Sequence, residues 1–329
     1  CIRDSGGPDA HATIPAVRML GGVDPTDDSS RTRPVRYIPA LDGLRAVAVG
    51  AVLVFHADSP LAPGGFLGVS LFFTLSGFLI TSLLLAEHEQ SGTIALRSFY
   101  LRRARRLLPA AYACLAMVLL LAGYWALEAR RDLAGDVVAA LANVANWRFA
   151  LSTDSYSDLF AGEASPVAHF WSLSIEEQLY FVLPLVLVAA LRFGRRAVLG
   201  VSIVLASGSI AATLATTDPD LVYNGTHTRA AELLVGVILA TLLAGRRPAA
   251  LRPAVASTAG LGASALFVFL VARVELADAW LYEGGLALVG LVSGLLIVVV
   301  ASGGWPAPLL AARPLVAVGK VSYGIYLFH

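Results

Sequence analysis

Three groups of side chains in this chain have the types and spacing for acid–base or anion chemistry. The first is Arg45 and His56, which bracket an almost uninterrupted apolar run from Ala46 to Phe55. At ~100° per residue, eleven steps along a helix return nearly to the starting direction, so the two share one face about 16 Å apart. Ionisable groups within hydrocarbon are costly enough to mark a functional site by default. A neutral imidazole can take a proton from a hydroxyl and later return it. The plainer readings are a satisfied core histidine and an arginine that snorkels to the interface.

The second group, His169-Phe-Trp171-Ser-Leu-Ser174-Ile-Glu176-Glu177-Gln178-Leu-Tyr180, opens a long apolar stretch that ends near Leu191. Ser174 and Glu177 have capping-box spacing, which predicts a helix N-terminus closed by reciprocal hydrogen bonds. With them stand His169, Trp171, Glu176, Gln178 and Tyr180, enough polar and aromatic groups to line a sugar-sized pocket. The third group runs from Arg97 to Pro109 and holds Arg102, Arg103, Arg105 and Arg106. Arg103 and Arg106, three apart, project from one side of a helix and can fork onto phosphates. Anionic lipid headgroups, or the ordinary positive charge of an inner loop, also account for them.

The elements that must position these groups are membrane spans. The chain is 57% hydrophobic and 14% charged, with a mean hydropathy of +0.73, far from the usage of a soluble domain. Runs of roughly 20 apolar residues, enough to cross a bilayer, recur near 41–57, 65–86, 107–127, 170–191, 197–216, 229–245, 255–273, 280–302 and 315–329. The expected fold is all-α, a polytopic transmembrane helix bundle of about 9–10 spans with the last one truncated. Residues 1–36, polar and rich in Gly, Pro, Asp, Ser and Arg, are expected to be a disordered cytoplasmic tail. The remainder, 37–329, is expected to be one membrane domain, C-terminally incomplete, because the chain starts without Met and stops inside a hydrophobic segment.

Sidedness follows from the basic clusters. With the tail inside, Arg97 to Arg106, then Arg192, Arg195 and Arg196, then Arg246, Arg247 and Arg252, then Arg313 and Lys320 all fall on the cytoplasmic side, provided that 132–149 does not cross. That stretch, which contains Asp132, Asp136, Asn143 and Asn146, is therefore expected to be interfacial or re-entrant. Arg130 and Arg131 remain outside. His56 and the start of the Glu176–Glu177 helix then face the same, outer side, where a histidine and a carboxylate can meet.

Other signals narrow the function. A formal net charge of +1 supplies no field for nucleic acid. Lys320 is the only lysine, a compositional hint of a GC-rich bacterial genome. The two cysteines, Cys1 and Cys114, make no disulfide framework, and the six scattered histidines no metal signature. Arg229 and Glu232, three apart, are expected to pair locally. Asn224-Gly-Thr226 is a glycosylation sequon, relevant only in a secretory-pathway host.

Read together, the ordered stretches Tyr37–Arg45 leading to His56, Gly65–Ile80, Phe99–Pro109, His169–Tyr180 and Ser322–His329 resemble the signatures of acyltransferase family 3, the bacterial integral-membrane O-acyltransferases. The resemblance covers the chain from about residue 37 to its end. It implies an acyltransferase that moves an acyl group, usually acetyl from cytosolic acetyl-CoA, to a hydroxyl of an extracytoplasmic carbohydrate or glycolipid. Acyl-CoA is then a co-substrate, no cofactor is bound, and the setting is the lipid bilayer of the bacterial cytoplasmic (inner) membrane. Residue by residue, it implies His56, Glu177 and Ser174 as catalytic and Arg45, Arg103 and Arg106 as donor-binding. Glu176, Trp171 and Tyr180 are candidates for acceptor binding. Glu177 or Glu176 is expected to fix the tautomer of His56 or to orient the sugar. Transfer is expected to be direct, with an acyl-histidine as the other route. A proton-coupled transporter is the competing class, since buried Arg, His and Glu also build proton relays; a lipid-binding structural protein explains the basic loops but neither His56 nor the acidic pair.

Overall fold

The computed structural model describes residues 37–124, 133–151, 165–245 and 253–329. The expected tail, 1–36, lies outside the described residues, as do Arg130, Arg131, Asp132, Arg246, Arg247 and Arg252. Among the described residues are α1 (Pro39–His56), α2 (Gly68–Ser91), α3 (Leu96–Tyr124), α4 (Leu133–Leu141), α5 (Ala145–Ala150), α6 (Phe170–Leu191) and α7 (Arg195–Ala215). They are followed by α8 (Pro219–Asn224), α9 (Thr226–Leu243), α10 (Pro253–Arg273), α11 (Leu286–Ala301), α12 (Ala307–Leu310), α13 (Arg313–Lys320) and α14 (Ser322–Phe328).

Eight of the helical runs are long and apolar enough to cross a membrane. Their local grammar is plain. Pro39 sits in the first turn of α1, where no N–H is needed. Gly92, at φ +71°, ends α2 in the left-handed conformation. Asp218 accepts hydrogen bonds from the Asp220 and Leu221 N–H groups to start α8. Pro109 and Pro184 lie inside α3 and α6, as membrane helices tolerate.

The packing is inverted relative to a soluble protein. Large apolar side chains such as Val204, Val268, Phe269, Leu288 and Leu291 face outward, where lipid takes them up, while Ser70, Thr74, Arg229, Glu232 and Ser293 are buried. The centre is α2 against α9, with α7 on the far side of α9 and α11 packed on both α2 and α9. Two glycines make that centre close. A Cβ on Gly77 would strike the Leu233 carbonyl of α9, and one on Gly236 would strike the Thr74 carbonyl of α2. Small residues at such crossings let membrane helices approach backbone to backbone.

Four sequence expectations meet the structure here. The stretch 132–149 folds, in its described part, as the 9-residue α4 and the 6-residue α5, far short of the roughly 20 residues a crossing needs. The third helix begins at Leu96 rather than near 107, because the arginine stretch and the apolar run after it form one continuous α3. The final stretch, expected as one span over 315–329, is broken at Val321 into α13 and α14. It runs beside α1 in the same direction, Gly319 against the Asp42 backbone and His329 against His56. The capping box does not form: α6 starts at Phe170 with no side-chain cap, so Ser174 lies one turn inside it.

Candidate active site

A cavity of about 670 Å³ lies among α1, α2, α3, α6 and α14. Its exposed lining residues are Leu83, Gln90, Arg102 and Arg106. Arg45, Arg103 and Arg106 line it, so all three arginines singled out from the sequence reach one space. The long α3 explains this, since it presents Arg103 and Arg106, three apart, on the face toward the cavity, with Arg103 half-buried and Arg106 exposed.

The carboxylates meet these arginines. Arg103 Nη2 lies 3.6 Å from Glu177 Oε1, and its guanidinium stacks 3.0 Å above the centre of the Tyr180 ring. Its Nε is enclosed and has no hydrogen-bond partner, a spare donor at the cavity wall. Glu176 accepts hydrogen bonds from Ser76 and Tyr180, and all three of these side chains line the cavity. Arg45 pairs with Asp42 at 3.5 Å, and Asp42 also accepts from the Tyr37 hydroxyl at 2.6 Å. At the opposite end, the hydroxyls of Ser172 and Tyr326 lie 2.6 Å apart and close the cavity.

His56 stands behind that end. Its Nδ1 is 2.9 Å from the Val52 carbonyl one turn back. A carbonyl only accepts, so Nδ1 carries the hydrogen and Nε2 is the basic nitrogen. The backbone of α1 sets the tautomer, the role that the sequence reading gave to Glu177 or Glu176. Glu177 is engaged by Arg103 and Glu176 by Ser76 and Tyr180. The ring of His56 instead lies against the rings of Phe55 and His329. His169, the residue before α6, is next to His329. Burial, and then the neighbouring His329 and His56 rings, hold His169 neutral, its pKa pushed down to about 3.

Two candidates, Trp171 and Ser174, do not line the cavity. Trp171, 3% exposed, packs on Tyr223 and Phe73 and beneath the Arg229 guanidinium. Ser174 accepts the Ala145 N–H at 3.2 Å and so ties α5 to α6. Gln178 does similar work, donating to the Asn143 carbonyl and to Asn146 and accepting from Thr226. Arg229 and Glu232 pair as expected, at 2.7 and 3.1 Å, both fully buried. Asn224 is 1% exposed, so its sequon is closed to any modifying enzyme in the folded chain. The sequence reading passed over Ser76, Ser172 and Tyr326. Uncharged hydroxyls in apolar runs carry no cost signal; only their place inside otherwise notable motifs pointed to them.

The family description "Acyltransferase domain" (Acyl_transf_3) matches residues 38–329. The peptidoglycan O-acetyltransferase OatA of Listeria monocytogenes is 37% identical over 305 residues, 89% of this chain and 49% of that protein. A putative peptidoglycan O-acetyltransferase, YrhL of Bacillus subtilis, is 38% identical over 312 residues, 91% of this chain and 49% of that protein. A putative O-acetyltransferase of Staphylococcus aureus is 36% identical over 324 residues, 93% and 52% of the two chains. The chain thus spans about half the length of the curated relatives it matches. No solved structure matches it. With a match of this extent, the chain belongs to acyltransferase family 3, the family its motifs resemble.

Proposed function

We propose that this chain is the membrane portion of an O-acyltransferase that moves an acyl group, acetyl in the first instance, from acyl-CoA to a hydroxyl of a carbohydrate or glycolipid. The observation that carries the reading is the cavity: three arginines near an open mouth, and at the far end a hydroxyl pair with His56 behind it. Guanidinium groups suit the phosphates of CoA, which they fork bidentately. The walls between, with Phe72, Ile80 and Leu83, suit the less polar arm that carries the thioester. Positive-inside bias supports a cytoplasmic mouth and N-terminus in a bacterial inner membrane, since Arg97 to Arg106 and Arg192 to Arg196 follow the second and fourth spans, which run in the same direction.

His56 Nε2 takes the proton of the acceptor hydroxyl as its oxygen attacks the thioester carbon. The C–O bond forms, the C–S bond breaks and CoA leaves. General-base help of this kind contributes roughly 10²–10⁴-fold. Glu177 acts by holding Arg103, and Glu176 with Tyr180 shapes the donor end of the cavity; Trp171 and Ser174 hold the helices that carry them. The names of the relatives make peptidoglycan glycan the first acceptor to try.

The test uses membranes carrying the full-length protein, supplied with acetyl-CoA and a peptidoglycan disaccharide. Release of CoA thiol, matched by O-acetyl on the glycan, is expected, and His56→Ala is expected to abolish both while the protein remains inserted and folded. Undiminished turnover in that variant sinks the role of His56. Movement of unmodified sugar without CoA release would instead mark a transporter.

A further inference from the structure

The acyl-transfer reading leaves a proton to account for. The acceptor hydroxyl releases it at His56, yet it must end on the sulfur of a donor held in the cavity, which His56 does not line. What lies between is a group of rings. His56 and His329 have ring centres 4.7 Å apart, and His329 and His169 5.3 Å. His329 repeats the tautomer of His56, with Nδ1 2.5 Å from the Tyr326 carbonyl. His169 bonds the Leu327 backbone, while its Nε2 is enclosed without a partner. A buried ring nitrogen in that state is rare enough to require a reason.

Imidazole rings whose centres lie this close can pass a proton through one intervening water. Two positive rings so close repel, so the group carries one proton at a time. Onward, the Tyr326 ring is 5.2 Å from His329 and 6.1 Å from His169. Its hydroxyl meets Ser172, and both side chains face the cavity.

We propose that His329 shares with His56 the proton taken from the acceptor and that the Tyr326–Ser172 hydroxyl pair hands it to the departing sulfur, while His169, whose carbonyl accepts from the Tyr326 hydroxyl, positions these groups. The inference rests on the acyl-transfer reading. One O–H and one C–S bond break while one C–O and one S–H bond form, and each ring and hydroxyl ends as it began.

His169→Gln, His329→Gln and Tyr326→Phe in the full-length protein test it with acetyl-CoA and the disaccharide. Each is expected to lower kcat at least tenfold with KM for acetyl-CoA unchanged, and millimolar imidazole is expected to restore part of the rate to His329→Ala. Rate plotted against deuterium fraction should curve in the unaltered protein, since several protons move. All three variants within twofold of the parent rate, or a linear plot, overturns the relay. If the histidine variants do not fold, Tyr326→Phe, which removes one hydroxyl, and the plot on the unaltered protein decide. A dead His56→Ala beside active relay variants sinks only the relay; an active His56→Ala sinks the acyl-transfer role itself.

Discussion

Two arginine–glutamate pairs in this bundle have the same chemistry and opposite settings. Arg229 and Glu232 are fully buried, bonded twice at 2.7 and 3.1 Å, and the guanidinium also reaches Ser70 and the Tyr223 carbonyl amid the rings of Phe73, Trp171 and Tyr223. Arg103 and Glu177 stand 3.6 Å apart, with side chains 22% and 31% exposed, and one donor of Arg103 is unspent. The first pair is saturated and its work is to hold helices together. The second is under-satisfied on a cavity wall, the state of a charge that waits for a ligand.

The comparison breaks most visibly at the sealed pair. Arg229→Met would strand a buried carboxylate at a cost of about 3–5 kcal/mol, so the variant should unfold well below the parent in a thermal scan in detergent. Adding Glu232→Leu should recover most of that loss; if the single variant is as stable as the parent, the pair is not a keystone. Arg103→Ala is expected to keep its fold yet bind acetyl-CoA roughly tenfold to a hundredfold more weakly by calorimetry, the loss of a charged hydrogen bond. Equal loss of stability at both arginines would erase the distinction. The smallest effect belongs to Arg102, 65% exposed and 3.9 Å from Glu87; Arg102→Ala should change affinity by less than about fivefold, as surface pairs contribute about 0–1 kcal/mol.

Spans and buried charges were legible in the sequence for the same physical reason, the high cost of polarity in hydrocarbon. That reasoning found the eight spans, kept 132–149 from crossing and paired Arg229 with Glu232. It placed the start of the third helix near 107 rather than at Leu96, because it treats arginine as a marker of the interface, and it met 170–191 while missing that Ser174 lies inside the helix and not at its cap. In α3 one arginine, Arg103, is drawn into the bundle, where a cavity and the facing Glu177 take the place of water, while Arg97, Arg102, Arg105 and Arg106 stay exposed. Partner identity was also out of reach: helix periodicity gave the face of His56 but not His329 beside it, and Ser76 meets Glu176 from 100 positions away.

The reciprocal glycines of α2 and α9 bear on how loss-of-function variants should be interpreted. Ser70, which touches the sealed pair, and Ser76, which bonds Glu176 at the cavity, lie within two turns of Thr74 and Gly77 on one helix. A single added methyl at position 77 or 236 would wedge the two helices apart and disturb both arginine sites at once. Such variants would score as inactive in a genetic screen although the altered residue never meets a substrate, and their phenotype would report on spacing rather than on chemistry.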